Sequence, residues 1–176
     1  PKDTARLAVP FSDGFEGGLA NWVVSGRDWA VTSATSRAGT NSLNDGSVAN
    51  YLPYEDVSAM LAHPLDLSGV TAPVLRFWDR AWVSYNDYGR VYVSTDGGTS
   101  WTPYWYRGNG IYNGGYEDGW MLEQIDLPAS SSVLIRFTLS SDGDAYLADG
   151  WYLDDVWVGP KDTARLAVPF SDGFEG

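Results

Sequence analysis

The chain predicts an all-β fold, a two-sheet antiparallel β-sandwich of the jelly-roll kind. Helical periodicity is almost absent from its 176 residues. In its place stand short runs rich in Val, Ile, Tyr, Phe and Trp, divided by clusters of Gly, Asp, Asn and Ser that mark turns. The longer runs alternate with the period of two that a half-buried strand requires.

Nine strands are expected in order. Leu7–Phe11 and Asp28–Ser33 are short β-formers near the start, and Ser58–Leu65 follows a long polar stretch. Val74–Ser84 alternates well, with Leu75, Phe77, Asp79 and Ala81 on one face and Val74, Arg76, Trp78 and Arg80 on the other. Gly89–Thr95 and Trp101–Tyr106 flank the turn Ser94-Thr95-Asp96-Gly97-Gly98-Thr99-Ser100-Trp101. Its Asp and Ser side chains suit hydrogen bonds to the turn backbone, and its glycines supply positive φ. The turn matches the Asp-box pattern S-x-D-x-G-x-[ST]-W of sialidase propellers. A propeller needs several copies and the chain has one, so the motif reads as a structural hairpin. Met121–Leu127, Val133–Ser140 and Trp151–Val158 complete the set. In Val133–Ser140, Val133, Ile135 and Phe137 share a face opposite Leu134, Arg136 and Thr138. Ser141-Asp142-Gly143-Asp144 reads as a solvated turn between the last two strands.

Eleven Lys and Arg against 23 Asp and Glu give a net charge of -12, which argues against nucleic acid or an anionic membrane as partner. No apolar run approaches the roughly 18 residues of a membrane span. Without Cys there are no disulfides, thiol nucleophiles or thiolate metal sites. His63, the one histidine, stands beside Pro64 at a strand end, which leaves neither a nucleophile triad nor a zinc set. No carboxylate pair stands in a recognisable catalytic motif, so no enzyme activity is expected.

The chain repeats itself. Residues 1–17 read PKDTARLAVPFSDGFEG, and residues 160–176 read the same, offset by 159. Residues 1–159 are therefore expected to form one repeat unit, with 160–176 the linker and first strand of the next. The opening Pro1 fits a piece taken from something longer. Setting aside the second copy, with two basic and three acidic residues, leaves nine basic and twenty acidic residues, or -11 per unit. Such units repel at low salt, so an array is expected to be extended and soluble. Leu166, Ala167, Val168, Pro169 and Phe170 repeat Leu7–Phe11 and are expected at the inter-repeat junction, in the next unit's sheet. The segment would either begin a covalently following domain or, after cleavage, be donated to a neighbour by β-augmentation. Either covers an otherwise open sheet edge.

Several stretches resemble one group of extracellular modules. Asp13-Gly14-Phe15-Glu16-Gly17-Gly18-Leu19-Ala20-Asn21-Trp22 resembles the D-x-FE-x-G-L-x-x-W opening of MAM-like jelly rolls. The same opening occurs in choice-of-anchor J, cleaved-adhesin and immune-inhibitor-A C-terminal modules. Ser36-Arg37-Ala38-Gly39-Thr40-Asn41-Ser42 resembles their S-x-x-G-x-x-S hairpin. Leu65-Asp66-Leu67-Ser68 and Asp87-Tyr88-Gly89 through Ser94 resemble later strands, and Gly150-Trp151-Tyr152-Leu153-Asp154-Asp155-Val156 resembles the closing GWYIDDV. The ordered set spans residues 13–158. The resemblance implies a non-catalytic extracellular or cell-surface accessory. It also implies a structural Ca²⁺ held by Glu16 and either Asp154 or Asp155, with Asp13 and Asp45 as candidate further ligands. Oxygen donors of this kind are what Ca²⁺ takes. Simple alternation would let only one of Asp154 and Asp155 face inward.

Two functions remain open at this level. The first is a structural repeat of an extracellular filament or giant surface adhesin, with identical neighbouring units as partners and calcium stiffening the joints. The alternative is a carbohydrate-binding accessory module of a secreted protein. Its contacts would come from Trp105, Tyr106, Tyr112, Tyr116 and Trp120, whose rings suit stacking on sugar faces.

Overall fold

The computed structural model describes residues 5–26, 29–46, 50–108, 119–144 and 148–161, with the side chains of 106–108 set aside. Eleven strands make two antiparallel sheets, and there is no helix among the described residues. One sheet runs β3 (Ala30–Thr32), β4 (Ser42–Asn44), β11 (Gly150–Pro160), β6 (Pro73–Trp82), β9 (Met121–Asp126). The other runs β2 (Trp22–Ser25), β5 (Asp56–Leu61), β10 (Leu134–Ser140), β7 (Tyr88–Ser94), β8 (Thr102–Gly108). The last strand of the first sheet, β1 (Phe11–Asp13), also pairs with β11. The all-β sandwich expected from the alternation is therefore the fold observed.

The long strands lie within two residues of their expected ends, apart from Ser58–Leu65, which stops at Leu61. In β6, Leu75, Phe77, Asp79 and Ala81 are buried and Arg76, Trp78 and Arg80 half-buried, as the alternation requires; Val74 is buried as well. The short strands differ more. The expected Leu7–Phe11 strand is only a bridge from Leu7 to Leu65, and pairing with β11 starts at Phe11. Pro10 has no N–H to give a ladder, so the strand begins after it. Trp101 does not open β8; its indole N–H donates to the Gly98 carbonyl at 3.1 Å and closes the turn. The strands β2 and β4 were not expected, because three or four residues are too few to show a period.

The core is built around Trp151, which is fully buried. Trp105 stacks on it with centroids 5.6 Å apart and planes 15° from parallel, and Phe77, Phe137 and Trp29 meet it edge to face. Its indole N–H donates to Asp79 at 3.0 Å, which explains an aspartate on the inward face of β6. Gly89 leaves room for the ring, since a Cβ there would stand 2.9 Å from it.

The connections sort to two ends of the sandwich. Residues 62–72, 95–101 and 127–133 lie at one end, where Leu65 bridges Val133 and Ser94 pairs with Leu134. At the other end lie the facing strand ends of β2 and β3, β4 and β5, β6 and β7, β8 and β9, and β10 and β11, where Trp82 pairs with Gly150 and Tyr88 with Ser140 and Gly108.

Candidate functional site

A carboxylate-rich seam lies where β11 changes partners. Its first half pairs with β4 through Tyr152 and Leu153, and its second half pairs with β1 through Val156 to Val158. Between them the register against β6 shifts from Asp154 to Trp157, a β-bulge, and Asp155 takes φ +47°. The bulge interrupts simple alternation. A Cβ on Gly14 would lie 3.4 Å from Asp155 Oδ1 and 3.8 Å from Asp154 Oδ1, so both carboxylates reach the same stretch of backbone. Asp154 is fully buried and Asp155 half-buried, yet both approach Gly14.

The turn 37–41 supplies amide donors to the seam. Asp154 Oδ2 accepts from the N–H of Arg37 at 2.7 Å and of Ala38 at 3.3 Å, and its Oδ1 accepts from the Asp155 N–H at 2.7 Å. Burial pushes the Asp154 carboxyl above its usual range, with those amides pulling against the shift. Glu16 Oε1 accepts from the N–H of Thr40 at 2.8 Å and Asn41 at 2.7 Å. Gly39, at φ +63°, lets the turn close over this oxygen, since a Cβ would stand 2.5 Å away.

Asp13 and Asp45 have other roles. Asp13 ties the β1–β2 turn, accepting from the Phe15 N–H, the Asn21 amide and the Trp22 indole at 2.9 to 3.0 Å. Asp45 sits three residues away along β11, accepting from the Trp151 N–H at 2.5 Å. The structure does not bring Asp45 to Glu16. Among the described residues, no three His, Cys, Asp or Glu side chains converge as a ready metal set. The seam's side-chain donors are all oxygen, the kind a hard cation takes, but Glu16 Oε1 and both Asp154 carboxylate oxygens are engaged by backbone amides.

The aromatic candidates divide. Trp105 packs into the core against Trp151 and Phe77, with its indole N–H on Glu123 at 3.1 Å, so its stacking face serves the protein. Trp120 is half-buried, while the Tyr106 side chain, Tyr112 and Tyr116 lie outside the described residues, as do Leu166, Ala167, Val168, Pro169 and Phe170. Sequence reasoning did not single out Tyr54, 82% exposed, which shares the far end with Trp82 at 42% and Tyr85 at 57%. Tyr54 is held by its N–H on the Asp142 carbonyl at 2.8 Å.

The fold is that of solved β-sandwich domains. The K2 cleaved adhesin domain of Lys-gingipain matches at TM-score 0.61 and 19% identity, over 84% of this chain and 98% of that one. The K3 cleaved adhesin domain of Lys-gingipain from Porphyromonas gingivalis matches at TM-score 0.58 and 20% identity, over 85% and 98%. TmCBM61, solved in complex with β-1,4-galactotriose, matches at TM-score 0.53 and 18% identity, over 84% and 94%. No family model matches the chain, and no curated protein sequence does. The chain is thus an antiparallel β-sandwich of the architecture that adhesin and carbohydrate-binding domains share.

Proposed function

We propose that the chain is a non-catalytic structural repeat of an extracellular filament or giant surface adhesin, joined to identical units through residues 160–176. One observation carries this reading. β1 already fills the edge of β11 beside Val156–Val158. The second copy of its sequence, at residues 170–172, has no such slot left in its own unit. An identical strand calls for an identical slot, and the following unit of an array provides one, with residues 170–172 serving as that unit's own β1. The cleaved adhesin likeness supports a surface module.

Calcium at the Glu16, Asp154 and Asp155 seam belongs to the same proposal. The seam begins three residues beyond β1, so a cation there would brace the strand at the joint. Chelation is then expected to loosen the filament before it unfolds the units. Persistence length and melting temperature both unchanged in EDTA would refute the calcium reading. Electron microscopy that resolves strand pairing tests the repeat itself, which requires residues 170–172 beside Val156–Val158 of a neighbour.

The exposed Tyr54, Trp82 and Tyr85 at the far end favour a second reading, a carbohydrate-binding accessory. Binding of oligosaccharides that Tyr85→Ala and Trp82→Ala abolish, by the monomeric unit, would support it.

A further inference from the structure

The two ends of the repeat unit's chain are anchored on the same end of the sandwich. At the start, the Leu7 N–H donates to the Pro64 carbonyl at 3.2 Å, Leu7 bridges Leu65, and the Arg6 guanidinium donates to the Ser131 carbonyl. At the finish, Pro160 pairs with Pro73, and the Lys161 N–H donates to the Ala72 carbonyl at 3.1 Å. The Lys161 ammonium also meets Asp126 at 3.0 Å. Residues 64–65, 72–73, 126 and 131 all belong to or border the connections 62–72 and 127–133.

If Arg165 and Leu166 are seated in the next unit as Arg6 and Leu7 are here, only Asp162, Thr163 and Ala164 lie between the two anchors. Four Cα steps reach at most roughly 14 Å. The ten residues of β6 alone span about 33 Å of the sandwich. The linker is too short to run from one end of a unit to the other. Resting on the repeat reading above, we infer that successive units meet through this one end. Their junction ends gather along a common spine, and the opposite end of each sandwich, where Trp82 pairs with Gly150, points away from it. The partner is a second copy that follows covalently; donation to a separate chain would require that chain's own residues 11–13 to leave the slot beside Val156–Val158.

Charge agrees with this placement. Among the described residues, the junction end carries Asp66, Asp96 and Asp126 beside Arg6 and Lys161, whereas the far end carries Asp45, Glu55, Asp87, Asp142, Asp144 and Asp149. Units of net charge -11 approach most easily through their least charged end. The same arrangement leaves Tyr54, Trp82 and Tyr85 on the filament's periphery.

Electron microscopy of the assembled filament, paired with thiol labelling, tests this. The chain has no Cys, so Gly69→Cys and Tyr85→Cys each add a single thiol per unit. Gly69 has open space where its Cβ would go, and Tyr85 is exposed, so both variants are expected to fold. On assembly the Gly69→Cys thiol should lose reactivity toward a maleimide, while Tyr85→Cys keeps it and carries maleimide-gold at the rim. Density with residues 170–172 seated in a neighbour, but one unit's junction end against the next unit's far end, overturns the spine and leaves the repeat standing. Protection of Tyr85→Cys with Gly69→Cys still reactive does the same. A map in which residues 170–172 are not seated beside Val156–Val158 of any neighbour overturns both.

Discussion

Asp96 and Asp154 show how two aspartates in one molecule respond to pH in opposite directions. The Ser100 hydroxyl and amide, with Ser94 and Thr99, hold the Asp96 carboxyl down to about 2. A depressed carboxyl stabilises the fold above its unfolded value, and that contribution is lost as pH falls from about 4 toward about 2. Burial raises Asp154, so its contribution is present at low pH and is lost as pH rises through its folded value. Side-chain NMR titration is expected to show the two midpoints on opposite sides of the ordinary aspartate value. Two core sites give sharper tests. Gly89→Ala would force a Cβ 2.9 Å from Trp151 and should cost about 1 to 3 kcal/mol in urea denaturation. The Tyr51 hydroxyl donates to Asp87 at 2.5 Å and accepts from the Ser84 N–H at 2.8 Å, so Tyr51→Phe strands two buried partners. A loss of about 1 to 3 kcal/mol is expected there too.

At the scale of strands, the near absence of Lys becomes intelligible. Lys2 and Lys161 are the only lysines, against nine arginines. Among the described residues, five lie over aromatic rings: Arg37 on Trp78, Arg76 on Trp157, Arg80 on Tyr152, Arg90 on Tyr88, and Arg136 over Tyr92 and Trp101. A planar guanidinium stacks on such faces where a compact ammonium does not. Arg136→Lys should therefore lower stability by about 0.5 to 1 kcal/mol although the charge is kept, a shift that thermal melts can read. The alternation of β6 was legible almost residue by residue, because each side chain's face follows from its neighbours two places away, whereas Leu134 and Thr138 on the second face of β10 are buried as well. The bulge at Asp155 was not legible, because it arises where two different strands share one edge of β11.

For the whole molecule, alkaline pH should unfold the sandwich. Burial and Asp149 raise Tyr152 to about 12, and burial with Asp87 raises Tyr51 further. A raised tyrosine keeps its proton in the folded state, so stability is retained up to about pH 10 and falls as pH climbs toward about 12. Circular dichroism across that range checks it, and a flat profile to pH 12 would contradict the buried tyrosines. The assembly should respond to salt in its own way. In the proposed array, repulsion between units of net charge -11 is screened within about 8 Å at physiological ionic strength, so its persistence length should shorten as salt rises.

The amino-acid sequence by itself determined the sandwich class, the inward face of β6 and the identity of residues 1–17 with 160–176. All three are patterns among near neighbours or identities that need no coordinates. Tertiary structure decided the rest. It turned Trp105 onto Trp151, parted Asp45 from Glu16, and set Asp154 and Asp155 at one seam. The Arg37 N–H that meets Asp154 stands 117 residues from it along the chain. It also anchored Arg6 and Lys161 at one end. No local pattern encodes such contacts, because each is fixed by which strands lie side by side and where one strand exchanges a partner for another.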